Sequence, residues 1–272
     1  MTRIHLFLRY FLFLSILFVI PQWTLAQDFE VAPVRVVFNA APGETQSRTV
    51  TIKNHGNRKE TITLRMQDFL VQRDGKMEML PAGSTRNSIA SWVTINPGFI
   101  EMEPNESRTI QLNLQAPNDE YSSMWGVLSF VTTAEQTAFS ADRDLQTGMS
   151  LAGRIDIFLS YIPATGEAGR IEINNLQEAE STNPEERLFT VNLDNLGERI
   201  TAGKIFLVAS NLRTGQEHRF RTIDVTTYPQ SSRTVELTMP AGLTPGTYSV
   251  AAILDYPGSS SLKGTQITIN VD

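Results

Sequence analysis

The chain of 272 residues contains no cysteine and only three histidines, one of them at position 5. Without cysteine there are no disulfides, thiolate nucleophiles, zinc–thiolate sites or cysteine-linked lipids. His55 and His218 are the histidines left, too few for a histidine metal cluster, and a Ser-His-Asp triad would have to use one of them. Positive charge is also short. With 23 basic and 29 acidic residues the formal charge is −6, so no basic surface follows a phosphate backbone and no nucleic acid is expected as a partner. Long apolar runs are confined to the start of the chain, and helical periodicity is almost absent after it.

What is there begins with an export signal. Arg3 and Arg9 precede the apolar run Phe11 to Ile20, and Thr24-Leu25-Ala26 ends in the small residues signal peptidase requires. Residues 1–26 are therefore read as a signal peptide, removed before Gln27. Its loss leaves 21 basic and 29 acidic residues, a net charge of −8. No later stretch approaches the length of a bilayer span, so no membrane span is expected after signal removal. A periplasmic or otherwise extracytoplasmic location follows.

Beyond residue 28 the period is two. Thr49 to Lys53, Thr61 to Met66, Thr109 to Leu114 and Val127 to Val131 alternate, separated by turn signals such as Pro42-Gly43, Asn54-His55-Gly56-Asn57 and Asp74-Gly75. Phe189 to Leu193, Lys204 to Ala209, Arg233 to Thr238, Thr247 to Leu254 and Thr265 to Val271 continue the style. This spacing predicts an all-β chain of two tandem immunoglobulin-like β-sandwiches. Pro163 to Gly169 breaks the pattern, which divides the chain into 1–26, 27–163 and 164–272. Ser107-Arg108-Thr109-Ile110-Gln111-Leu112 and Ser232-Arg233-Thr234-Val235-Glu236-Leu237 suggest two copies of one plan, with Ser47-Arg48-Thr49-Val50 a third instance.

One strand is too long. From Met149 to Tyr161 the odd positions read Met, Leu, Gly, Ile, Ile, Leu, Tyr, which at about 3.3 Å per residue extends about 43 Å. That is roughly twice the usual strand, and the polar segment Thr132 to Thr147 before it reads as a loop. Such a strand either joins two domains or is offered to a partner.

Catalytic patterns are scarce. Gly148-Met149-Ser150-Leu151-Ala152 lacks the final glycine of a nucleophile elbow and lies in a strand pattern. Asp142 and Asp144 lack the rest of a calcium loop. Glu178, Glu180, Glu185 and Glu186 read as a solvated face, and Trp92, Phe99, Trp125 and Phe130 as sandwich core, with a sugar platform as the other reading of the tryptophans. The chain reads as non-enzymatic, and no motif implies a cofactor.

Val34-Arg35-Val36-Val37-Phe38, Ser91-Trp92-Val93, Glu103-Pro104-Asn105-Glu106, Met124-Trp125-Gly126-Val127 and Tyr161-Ile162-Pro163 together resemble the PapD-like periplasmic pilus-assembly chaperones, over about residues 28–163. The resemblance implies that the chain binds exported, pilin-like or surface subunits by strand donation. Alternating apolar residues of its long strand, Met149, Leu151 and next Ile155, would fill the gap left by the subunit's missing strand. It also implies a cation at Arg35 for the subunit's terminal carboxylate, although Arg35 reads equally as a strand-face arginine. The second cation of the family falls on Phe158, which cannot bind a carboxylate, and Gly153 stands where the family has a third apolar knob. Arg154 lies on the same face as Phe158, about 13 Å away. The candidate partner-binding set is Arg35, Met149, Leu151, Arg154, Ile155 and Ile157. A second resemblance competes. Pro-Gly-Glu, Asn-x-Gly, Pro-x-Glu-Ser, Trp-Gly-Val and Leu243-Thr244-Pro245-Gly246-Thr247-Tyr248 are similar to WxL-interacting surface proteins, which implies a cell-surface module binding wall polysaccharide or surface proteins.

Overall fold

The computed structural model describes residues 29–133, 153–166 and 169–271. The signal segment 1–26 and the candidates Met149 and Leu151 lie outside them. The described chain is all strand and turn: β1 (Phe29–Ala32), β2 (Arg35–Phe38), β3 (Thr45–Asn54), β4 (Glu60–Val71), β5 (Met77–Pro81), β6 (Val93–Asn96), β7 (Phe99–Met102), β8 (Ser107–Gln115), β9 (Met124–Thr133) and β10 (Arg154–Tyr161) come first. They are followed by β11 (Ile171–Ala179), β12 (Glu186–Asn195), β13 (Thr201–Asn211), β14 (Glu217–Arg219), β15 (Ile223–Thr227), β16 (Ser231–Pro240), β17 (Gly246–Asp255) and β18 (Lys263–Val271). Among the described residues no helix is long and apolar enough to cross a membrane.

Each half folds as two facing sheets. In the first, β1-β3-β8-β6 packs on β2-β10-β9-β4-β5, with β7 also paired to β4; in the second, β11-β12-β16 packs on β14-β13-β17-β18, with β15 also on β13. Alternation drives this. In β12 every second side chain, Phe189, Val191 and Leu193, is fully buried, and a side-chain period of two puts all three on one face. Burying each such side chain contributes about 1.5–3 kcal/mol, so each sandwich gathers its own core. Val50, Ile52, Leu112, Leu114, Phe130, Ile157 and Leu159 belong to the first. Phe189, Val191, Leu193, Leu207, Val250 and Leu254 belong to the second. The turn before β3 requires glycine: Gly43 has φ +83°, and an added Cβ would lie 2.5 Å from Asn118 Oδ1.

The two sandwiches repeat one plan. β8 pairs with β3 as β16 pairs with β12, so Ser107–Leu112 and Ser232–Leu237 occupy matching strands. Ser47–Val50 lies on the neighbouring β3 and is a look-alike, not a third copy. A stronger repeat is Asn-x-Gly-x-Arg, at Asn54 to Arg58 and Asn195 to Arg199. Both asparagines are fully buried. Each accepts the amide of its own glycine and donates to the carbonyl of its own arginine, at 2.8 and 2.9 Å for Asn54 and 3.0 and 2.8 Å for Asn195. A buried amide is stable only when its groups are paired in this way.

Two of the expected core aromatics sit elsewhere. Phe130 is fully buried and Trp92 packs against the first core. Phe99 is 61% exposed, because β7 is a short outer strand paired only to β4. Trp125 is buried between the two sandwiches and not within either.

Candidate functional site

β1 lies in one sheet and β2 in the other, so the chain crosses the sandwich at Ala32-Pro33. β2 then runs parallel to β10, with Arg35 opposite Phe158 and Phe38 opposite Tyr161. Four residues of β2 cover only the second half of β10. On that side, no described strand pairs with Arg154, Ile155, Asp156 or Ile157; on the other, β9 pairs with the whole of β10. The far edge of β2 is blunted, since Arg48 Nε donates to the Val37 carbonyl at 3.2 Å. A strand edge that no described strand pairs can serve as a template for another chain.

The faces of β10 differ. Ile157, Leu159 and Tyr161 point into the first core, and Ile155 packs against it half-buried. Ile157 has no exposed surface, so it leaves the expected partner-facing set: its face of the strand is already occupied by its own sandwich. On the opposite face, Phe158 joins Phe69, Trp125, Val127, Val71, Ile200 and Tyr228 in a small apolar cluster between the sandwiches. Phe69 is at its centre, with ring centroids 5.8 Å from Phe158, 5.6 Å from Tyr228 and 6.5 Å from Trp125. The Trp125 indole donates to the Phe69 carbonyl at 3.0 Å. Around the cluster the amide of Ser123 donates to the Glu198 carbonyl at 2.7 Å, and Arg86 pairs with Glu198 at 2.7 Å. The Thr234 amide also reaches the Arg73 carbonyl at 2.7 Å. Hydrogen bonds at both margins hold the apolar contact in one relative placement.

Arg35 lies at the rim of this contact, exposed, with its guanidinium carbon 5.9 Å from the Phe158 ring centroid. At that distance it gains a weak cation–π attraction. Burial pushes the Tyr228 hydroxyl up, and the positive charges of Arg35 and Arg233 oppose that rise. Arg154 lies at the other end of the strand, half-exposed. Its Nε donates to Asp156 Oδ1 at 2.8 Å, and its Nη2 to Gln67 Oε1 at 2.6 Å and Ser129 Oγ at 3.2 Å. The structure therefore separates the candidates: Arg35 beside the second sandwich, Arg154 away from it, Ile155 between face and core. It places Phe158, expected only as a missing cation, inside the contact between sandwiches. Tyr228 and Phe69 were not singled out by periodicity, because an apolar residue on a strand's outer face has no signature until something covers it.

His55 pairs with Glu30 at 2.9 Å on the surface, and His218 lies in the short strand β14 opposite Ala209. Trp125 is buried and Trp92 half-buried against the first core. Trp92 stacks edge-on with Tyr161 at 5.4 Å, and Trp125 is enclosed by Phe69 and Tyr228. The sugar-platform reading thereby loses Trp125, the tryptophan enclosed between the sandwiches.

No protein-family model matches the sequence, and no curated protein matches it. Solved structures do show likeness. The class 5 fimbriae chaperone CfaA matches at TM-score 0.49 with 12% identity, over 88% of this chain and 98% of its own. A structure of the chaperone–tip adhesin complex of CFA/I fimbriae biogenesis matches at 0.48 with 12% identity, over 88% and 97%. The E. coli chaperone DraB matches at 0.40 with 14% identity, over 88% and 98%.

Proposed function

We propose that this chain is an exported, non-enzymatic assembly chaperone that holds partner subunits by pairing one of their strands with β10. One observation carries the reading: β10 has a continuous partner in β9 on one side, while the half from Arg154 to Ile157 is uncovered by any described strand on the other. Main-chain pairing along such an edge supplies affinity, and alternate side chains supply selectivity. Each added hydrogen bond contributes about 0.5–1.5 kcal/mol net.

The sequence pattern extends the surface upstream. From Ile155 onward the odd positions fill the chain's own core. Met149 and Leu151 carry the same period in the sequence upstream of it, and alternate apolar side chains of a donated strand are suited to filling a partner's pockets. Gly153 marks the change: an added Cβ there would lie 3.0 Å from the Phe29 ring. Arg35, near the open edge and exposed, is assigned a supporting role as a cation for an acidic group of the bound subunit. Residues 27–163 and 164–272 act as two domains in this reading, the second fixing the wall beside Arg35.

A crosslinked pull-down from the native envelope tests the proposal, with wild type and Leu151→Asp run side by side and captured proteins identified by mass spectrometry. A small β-rich exported subunit captured by wild type and lost in the variant is expected. Partners retained equally by both proteins would overturn strand donation.

A further inference from the structure

The sheet β2-β10-β9-β4-β5 has a second edge, at β5. Two hydrogen bonds fix which way the backbone groups of that strand point. The Gln72 amide donates to the Lys76 carbonyl at 2.9 Å, so this pair is bonded across the β4-β5 hairpin. Bonded pairs then recur at every second position, at Leu70–Glu78 and Asp68–Leu80. The Phe69 carbonyl accepts the Trp125 indole from the β9 side, away from Met79, its register partner in β5. Both observations leave Met77 and Met79 with N–H and C=O directed out of the sheet, where no described residue bonds them. Their side chains are open as well. Met77 is 50% and Met79 36% exposed, on the face that β4 shares through half-buried Val71. The open stretch is bounded at both ends: the Lys76 carbonyl is taken by Gln72, and Pro81 has no N–H and gives its carbonyl to the Ser84 amide at 3.2 Å.

Charge decides what fits there. A second copy of the chain, paired antiparallel about a two-fold axis, would bond Met77 to Met79 of the other copy and set Glu78 directly opposite its own counterpart. Like charges so placed are unfavourable, whereas an opposite charge is stabilising. Glu78 is exposed and bonded only by Gln72 Nε2, at 3.2 Å. Lys76, on the same face, is already held by Asp74 at 2.6 Å. We infer that β5 binds a short extended segment of another protein with the pattern apolar–lysine–apolar, its main chain on Met77 and Met79 and its lysine opposite Glu78. Main-chain pairing supplies the affinity, and the unbranched methionine side chains adapt to the apolar residues of the segment. A chain whose net charge is −6 also favours a basic partner over an acidic one. The inference does not rest on strand donation, which uses the other end of the sheet at β10, and its test needs no native subunit.

The probe is the peptide acetyl-Thr-Val-Lys-Val-Thr-amide, titrated into protein carrying ¹³C-labelled methionine methyls. Met77 and Met79 report the edge, whereas Met102 and Met239 are buried in the two cores and serve as internal references. Selective shifts of the Met77 and Met79 methyls are expected. The same peptide N-methylated at both valines lacks the N–H groups that face β5 and should leave those methyls in place. Exchanging the lysine of the peptide for glutamate should weaken binding about threefold, and Glu78→Lys should reverse that preference. Met79→Pro removes one outward donor and no bond to β4. It should therefore keep the fold, read from unmoved Met102 and Met239 methyls, and lose the Met77 shift. The inference fails if neither edge methyl moves at millimolar peptide, if the N-methylated peptide moves them equally, or if Glu78→Lys still prefers the lysine peptide. Shifts of Met77 and Met79 on raising the protein concentration without peptide would assign the edge to a second copy and overturn it as well.

Discussion

Replacing Phe69 by alanine probes what couples the two sandwiches. Phe69 is 1% exposed and packs edge-on against Phe158 of its own sandwich and Tyr228 of the other. Truncating a buried phenylalanine costs about 3–5 kcal/mol, and each aromatic pair lost contributes about 0.5–1.5 kcal/mol beyond its area. Collapse of the site is hindered, because Ser123–Glu198 on one side and Thr234–Arg73 on the other hold the walls apart. The upper part of the range is therefore expected, about 4 kcal/mol. Urea titration followed by tryptophan fluorescence reads it directly, since Trp125 lies in the cluster and Trp92 against the first core. Wild type should unfold in one transition, and Phe69→Ala in two, with Trp125 reporting the earlier. Leu70→Ala, one residue along and 44% exposed, should change stability by no more than about 0.5 kcal/mol. If Phe69→Ala costs under about 1 kcal/mol, or no more than Leu70→Ala, the cluster does not couple the sandwiches.

Two further outcomes follow from hydrogen-bonded polar side chains. Asn54→Ala and Asn195→Ala should each cost about 2 kcal/mol by chemical denaturation, since each strands a glycine amide and an arginine carbonyl; the double variant should sum them to within about 0.5 kcal/mol. Asp194 has its carboxyl held below the ordinary aspartate range by hydrogen bonds from Ser232 first and Asn174 second. Its folded value lies below its unfolded one, so its contribution is complete above about pH 4 and lost as pH falls through the lowered value. Acid titration of stability should accordingly show a shallower decline below pH 4 in Asp194→Asn than in wild type, and identical slopes would refute the assignment.

Strand content was readable because alternation reports a face with a core behind it. Thr49 to Lys53 and Phe189 to Leu193 fall inside β3 and β12 for this reason. β11 was missed because a bulge between Asn174 and Gln177, with Asn175 at φ +53°, breaks its period. Asn54-His55-Gly56-Asn57 announced a turn, but the burial of Asn54, and of Asn195 in the second sandwich, could not be seen: an asparagine reads as a surface residue until the strand end it closes is known to be interior. Trp125 illustrates the opposite error. Its large apolar side chain suggested core, yet it serves a contact between sandwiches that exists only once both have formed.

The same reasoning explains why β10 was legible as unusual but not as a set of site residues. Alternation separates two faces and says nothing of what lies over either. The odd face of β10 turns out to be committed to its own core at Ile157, Leu159 and Tyr161. Its even face changes surroundings along its length, from the polar groove at Arg154 to the apolar contact at Phe158. A lysine or arginine at 158 would bury a charge against Phe69 and Trp125, at a cost of several kcal/mol unless paired. Phenylalanine there is thus consistent with the closed contact between sandwiches, and the positive charge on this face resides instead at Arg35 on one side and at Arg65 and Arg154 on the other.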